Sequence, residues 1–327
     1  HPAVHGAGAD SGWPRGLDRV RRRRHAATRS GSAGAQRLIR FKAGFNAARS
    51  GKRRSHEMSR SKKQVDRIIS HWPLIQKSKL FVRSPLFRGL FKPLYSEKGL
   101  RASFIPVGEA VEIPPSVIPP REVIMDFLSR AGYRALADEC VCRAGGKCRS
   151  FPMEVGSMFI GEGARDLHPT VGRSVSVEEA AGLVDRALDM GLVPMVGHLM
   201  VDSKLFGMKR FDRFLTICFC CECCCMFLKN MRYIKGAWPN TILPLDGVSV
   251  EVSDACEGCG ACVPVCPVEC ISLASGKAVM GDLCFACGCC ASACPSKAIK
   301  VTVSPDSKLL EELRHRVESG TRIDTQT

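Results

Sequence analysis

Apolar residues recur at helical spacing in two stretches of the chain. In REVIMDFLSRAGYRALA (121–137), Val123, Ile124, Phe127, Leu128, Ala131 and Ala135 keep a near-helical spacing, which predicts a helix over the whole stretch. In the second, Ala180, Leu183, Val184, Ala187 and Leu188 form one stripe, with Ser176 as N-cap, Glu179 as its capping-box partner and Gly191 as the stop. GLVPMVGHLMVD follows and reads as a short strand pair or wing. Prolines at 106, 114, 115, 119 and 120 make 106–120 an extended connector. Residues 229–246 read as a linker, and SKLLEELRHRVE (307–318) as a capped terminal helix. The pattern predicts an α+β chain: a mainly helical, Cys-rich domain over 105–235, a small second domain over 246–303, and a C-terminal helix and tail over 304–327.

Charge changes the picture at the N-terminal end. Of the net +16, residues 1–60 carry +12 and the remaining residues only +4. The basicity therefore marks a tail over 1–57 that is rich in Arg, Gly, Ala and Ser and has no apolar period, the composition of a disordered segment. The stretch before Met58, the first methionine, is expected to be an upstream translation or processing product, and a nucleic-acid partner is not expected. The following 58–104 is a basic amphipathic segment. Within it, 67–95 mixes Leu, Ile, Phe and Trp with Arg67, Lys77, Lys79, Arg83, Arg88 and Lys92 and contains no acid. Such a segment suits peripheral contact with an anionic membrane or a helical arm packed on the main domain. No apolar run is long enough for a transmembrane segment, and no apolar core of a signal peptide follows the Arg-rich run at 21–24.

The 19 cysteines decide the chemistry. A reducing cytoplasm, the expected location, favours thiolate–metal chemistry over disulfides. Cys256, Cys259, Cys262 and Cys266 precede Pro267, and Cys284, Cys287, Cys290 and Cys294 precede Pro295, each member of the second run lying 28 residues after its counterpart. This is C-x2-C-x2-C-x3-C-P twice, the spacing that lets three thiolates of one run wrap one iron–sulfur corner while the fourth serves the other cluster. Cluster one is then assigned Cys256, Cys259, Cys262 and Cys294, and cluster two Cys284, Cys287, Cys290 and Cys266. Four-thiolate zinc sites would need fewer cysteines and neither the prolines nor the equal offsets. Over about 246–303 the chain resembles the two-cluster [4Fe-4S] bacterial ferredoxins, which implies a small domain around two cubanes that passes single electrons to a redox protein partner. Aligned on the repeat, Cys270 falls opposite Ala298 and Cys289 opposite Ala261, so both read as small packing residues.

Nine further cysteines lie in the first domain: Cys140, Cys142 and Cys148 in CVCRAGGKC, then Cys218, Cys220, Cys221, Cys223, Cys224 and Cys225 in CFCCECCC. On a helix Cys218, Cys221 and Cys225 share one face and Cys220, Cys223 and Cys224 another, while on a strand the split is by parity. In neither geometry do all six converge on one metal, so the block must loop around a centre or divide its thiols. Ordinary core cysteines and vicinal disulfides are the alternatives. These blocks, with FPMEVGSMFIGEGA and the capped helix between them, resemble a Cys-rich ferredoxin-like family of anaerobes. In that family a cysteine often stands where this chain has Ser157. The expectation is a further iron–sulfur cluster of unspecified type on a subset of the nine, with 140–148 and 218–225 lying against each other.

The function expected is a cytoplasmic iron–sulfur electron-transfer protein with two [4Fe-4S] clusters and this additional one, an electron carrier or oxidoreductase subunit rather than a stand-alone catalyst. The alternatives are a redox enzyme reducing a substrate at the N-terminal cluster, and a cluster-based redox sensor. No catalytic side-chain constellation can be named. His168 and His198 read as loop or capping residues before ligands, and GEGARD (161–166) lacks the lysine of a phosphate loop.

Overall fold

The computed structural model describes residues 59–323, apart from 73, 75–83, 108–110, 116, 238–241 and 243. The expectations for the 1–57 tail and for the middle of 67–95 lie outside the described residues. In chain order the first elements are α1 (Lys62–Ser70), α2 (Pro85–Tyr95), β1 (Leu100–Phe104), β2 (Val111–Glu112), α3 (Pro120–Arg130), β3 (Arg134–Ala137) and α4 (Val141–Gly145). There follow β4 (Met158–Ile160), β5 (Gly172–Ser174), α5 (Val177–Asp189), β6 (Val193–Leu199), α6 (Met200–Phe206), β7 (Leu215–Cys220) and α7 (Met226–Ala237). The rest is β8 (Val248–Val252), β9 (Ile271–Ala274), β10 (Lys277–Met280), α8 (Cys289–Ala293), β11 (Ile299–Val303) and α9 (Leu309–Glu318).

The chain is α+β, but a sheet organises the first domain. Six strands in the order β1-β6-β7-β4-β3-β5 pair antiparallel throughout. Side chains alternate across it: Met158 and Ile160 face the main core with α3 and α5, whereas Phe159 packs with Phe206 and Phe214 on the other side. Fully buried Phe127 and Phe159 each contribute about 2 kcal/mol of hydrophobic stabilisation.

Several expected elements change type under this sheet. The helix expected over 121–137 stops at Arg130, because Ala131 is already extended and Gly132 follows, and Ala135 lies on β3. The expected wing is the single strand β6, all seven residues buried, running straight into α6. The front half of the expected 229–246 linker is helical, in α7. The second stripe is the helix α5, where the Ser176 hydroxyl accepts from the Glu179 N–H at 3.2 Å. The Glu179 carboxylate pairs with Arg173 at 2.5 Å instead of closing the capping box. In the 58–104 segment, Val65, Trp72 and Tyr95 are buried and Trp72 lies against Gly145, so the described parts pack on the domain as an arm.

The region expected as the second domain forms a three-stranded sheet, β2-β11-β8, with the β9–β10 hairpin. Part of the proline-rich connector therefore joins the sheet, β2 pairing parallel with β11. Phe104 of the first sheet stacks on Phe285 with ring centres 4.6 Å apart. Gly288, at φ +83°, sits so close to Val107 that a Cβ there would lie 2.5 Å from its carbonyl oxygen. Helix α9 then returns to the first domain, burying Leu313 and Val317 in its core. Arg130 donates to both carboxylate oxygens of Glu318 at 2.8 and 3.0 Å, and Arg314 pairs with Asp126.

His198 on β6 is a structural histidine. Its Nε2 donates to the Phe211 carbonyl at 2.6 Å and its Nδ1 accepts from Arg101 at 3.0 Å. Burial, assisted by the Arg101 charge, lowers its pKa to about 4. The folded value lies below the unfolded one, so the neutral ring's stabilisation is complete above about pH 6.5 and drains away as pH falls toward 4. Relative to His198→Gln, the wild type is expected to lose up to about 3 kcal/mol across that window in denaturant titrations at pH 7 and pH 4.

Candidate metal centres

The repeat seen in the spacing is also a repeat of backbone conformation. Gly258 and Ala286, Gly260 and Gly288, and Glu269 and Lys297, each 28 residues apart, all have φ between 50° and 83°. These left-handed positions turn the loops so that N–H groups face sulfur. Cys270 N–H donates to Cys266 Sγ at 3.4 Å and its counterpart Ala298 N–H to Cys294 Sγ at 3.3 Å. Ala278 and Ala286 N–H groups donate to Cys256 and Cys284 Sγ, both at 3.4 Å. Donors aimed at thiol sulfur suit thiolates that carry a metal's charge.

The eight cysteines fall into two groups. One small cavity is walled by Cys256, Cys259, Cys262 and Cys294. The other is walled by Cys284, Cys287, Cys290 and Cys266, with Cys270 beside them. Each takes three thiols from one run and the fourth from the other. Residues 250–272 match the 4Fe-4S binding domain family. The chain carries a bacterial-type ferredoxin domain. A 34-residue stretch is 65% identical to Ferredoxin-2 of Desulfomicrobium norvegicum, covering 10% of this chain and 58% of that protein, so the match spans little more than half of the relative's length. No solved structure matches the chain.

Within the ferredoxin domain the two cavities differ in setting. Cys259 is exposed, whereas Phe285 and Cys287 belong to the core shared with the first domain. The surplus thiols differ too. Cys270 Sγ lies 3.6 Å from Cys266 Sγ at the second cavity, closer than a packing role requires, and Cys289 opens α8.

In the first domain, 140–148 and 218–225 do lie against each other. Cys140 precedes α4, Cys142 lies within it and Cys148 just beyond it. Cys218 and Cys220 share one parity at the end of β7, and 221–225 turn into α7, with Cys225 N–H donating to the Cys221 carbonyl at 3.2 Å. Gly146 permits the contact, since a Cβ there would stand 3.2 Å from Cys224 Sγ. All nine thiols are free, with no vicinal disulfide.

The nine divide. Cys148, Cys221, Cys223 and Cys224 bring their Sγ atoms within 4.8 Å of one another. Cys140, Cys142, Cys218, Cys220 and Cys225 line an apolar cavity of about 260 Å³ between the sheet and the α1 and α6 side, and Cys221 lines it too while also belonging to the quartet. Ser157 stands on the same wall, its Oγ 3.1 Å from Cys218 Sγ. Each ferredoxin cavity, by contrast, measures only about 10 Å³.

Sequence reasoning missed Arg143, the one charged residue among the largest fully buried side chains of the described residues. Its guanidinium donates to the carbonyls of Pro152, Val155 and Phe219 at 2.9, 2.7 and 2.6 Å, and its Nε has no hydrogen-bond partner. Among the described residues no carboxylate pairs with it. Burial works against the cation, but the thiol charges of Cys140 and Cys221 outweigh burial and hold its pKa above the ordinary arginine value. Conversely, hydrogen bonds from the Cys223 and Cys224 thiols, with Arg143 nearby, hold the Cys221 thiol far below its usual range. An arginine inside a cysteine-dense motif was the available signal.

The other candidates are spoken for. The His168 ring caps its own loop through Thr170 at 2.8 Å. In GEGARD the Asp166 carboxylate accepts from the Lys209 and Arg210 N–H groups and from the Arg210 guanidinium, which makes it an anchor, not a phosphate cradle. No helix among the described residues is long and apolar enough to cross a membrane.

Proposed function

We propose that the protein is an iron–sulfur electron carrier that holds two [4Fe-4S] clusters in its ferredoxin domain and a further iron–sulfur centre in its Cys-rich domain. The observation that carries this reading is the crossed grouping of eight cysteines around two cavities, each supplied with N–H···S donors. When bound, such clusters supply one-electron chemistry. The protein's own part is to set where electrons enter and leave. Cys259 opens the first cavity to solvent and to a redox protein partner, while Phe285 and Cys287 seat the second against the first domain. The Cys140, Cys142, Cys218, Cys220 and Cys225 thiols beyond the junction are the proposed holders of the further centre. A potentiometric titration of the full chain, followed by EPR, tests the reading: successive one-electron reductions at low potential are expected, and a chain that takes up no electrons, or takes them only in pairs, would end it.

The cavity of about 260 Å³ supports a second reading, in which a small, largely apolar substrate is reduced beside those thiols. Leu205 lines the cavity on its helical side. On this reading Leu205→Trp blocks turnover of an added acceptor while the cluster potentials stay put.

A further inference from the structure

We propose that Cys148, Cys221, Cys223 and Cys224 form a separate site for one thiophilic divalent cation, distinct from any iron–sulfur cluster in the chain. It rests on the reading above only in taking thiols of this domain as metal ligands.

Size separates the two kinds of site. A tetrahedral tetrathiolate ion with metal–sulfur bonds of about 2.3 Å holds its sulfurs about 3.8 Å apart. The four Sγ atoms all lie within 4.8 Å of one another, and Cys148 and Cys223 are 3.6 Å apart. A cubane interposes an iron–iron edge and two iron–thiolate bonds between its terminal sulfurs, which demands a wider ring than this quartet offers. A disulfide, at about 2.05 Å between sulfurs, demands a much narrower one. The quartet also draws on two segments some seventy residues apart in sequence, so the ion would fasten the α4 loop to the β7–α7 turn.

Charge supplies the independent observation. Four thiols binding one divalent cation release four protons and leave a net charge of minus two. Such a centre needs a counter-cation inside the fold, and Arg143 is fully buried there, donating to three carbonyls with its Nε unpartnered and with no carboxylate partner among the described residues. This buried arginine balances half of that charge.

The ion's identity is a choice between zinc and mononuclear iron, and the test distinguishes them. Full-length protein and its Cys148→Ser and Cys223→Ser variants are purified anaerobically and assayed for zinc, iron and acid-labile sulfide, with X-ray absorption at the edge of the extra ion. About one ion per chain without matching sulfide is expected, with four sulfurs at about 2.3 Å. Either substitution should remove that ion and leave sulfide unchanged, which also shows that the variants fold. If the variants lose sulfide together with iron, the quartet belongs to a cluster and the proposal falls while the further iron–sulfur centre survives. A wild type with no such ion also overturns it. Failure of the electron-carrier reading would look different: the ion retained and no one-electron reduction.

Discussion

Cys266→Ser is expected to remove about four irons and four sulfides from the full chain and to spare the cluster on the first run, although Cys266 belongs to that run in sequence. The reason is the crossing of the chain. Cys266 lies at the cavity of Cys284, Cys287 and Cys290, while Cys294 lies at that of Cys256, Cys259 and Cys262. Cys294→Ser should therefore give the mirror result, removing the cluster at the exposed end. Cys270 complicates the first experiment, because its thiol stands 3.6 Å from that of Cys266 and is placed to act as a substitute ligand. The Cys266→Ser/Cys270→Ala double variant closes that route. EPR of the reduced variants checks the assignment against Cys259→Ser, which marks the first-run cluster: Cys294→Ser should lose the signal that Cys259→Ser loses, and the Cys266→Ser/Cys270→Ala variant should keep it. Loss of that signal in the Cys266→Ser/Cys270→Ala variant would refute the crossed ligation.

Arg143→Met is expected to cost about 4 kcal/mol of stability and to strip the metal from the Cys-rich domain while the ferredoxin clusters persist. The substitution removes the donors from three carbonyls at once, those of Pro152, Val155 and Phe219. Each buried carbonyl left without a partner costs about 1–3 kcal/mol, less whatever relaxation recovers. It also removes the only cation that faces the buried thiols of Cys140 and Cys221 among their described electrostatic neighbours. Arg143→Lys keeps the charge but not the fork that reaches three carbonyls, so it should hold the metal better than Arg143→Met and still melt below the wild type. Thermal melts with metal analysis of both variants make the comparison. Full metal retention in Arg143→Met, with stability unchanged, would show that the buried cation has no part in the thiol chemistry.

The ferredoxin domain was legible because its chemistry is written in spacing. Three thiols around one cluster corner require C-x2-C-x2-C, and a repeat at 28 residues needs no tertiary information. Helix α5 was legible for a similar reason, since Ser176, the apolar stripe and Gly191 are all local signals. The sheet was not. Its strands β3, β4 and β5 have only three or four residues, too short to show alternation, and β6 is buried on every residue, so it shows none. Ala135 could extend the helical period of α3 because one small apolar residue fits either pattern. The meeting of 140–148 with 218–225 followed from thiol chemistry, but the division of the nine thiols depends on where β7 ends. With the strand running through Cys220, Cys218 and Cys220 turn toward the cavity, and the turn that follows sends Cys221, Cys223 and Cys224 to Cys148. No local pattern fixes that boundary.

The most direct measurement of the central proposal compares iron and acid-labile sulfide in the wild type with those in the Cys266→Ser/Cys270→Ala/Cys294→Ser triple variant, both full length and purified anaerobically. Because the Cys-rich domain is untouched, the difference isolates the ferredoxin domain. Two [4Fe-4S] clusters predict a difference of about eight irons and eight sulfides per chain. A difference of about four of each, or none, would contradict the two-cluster account.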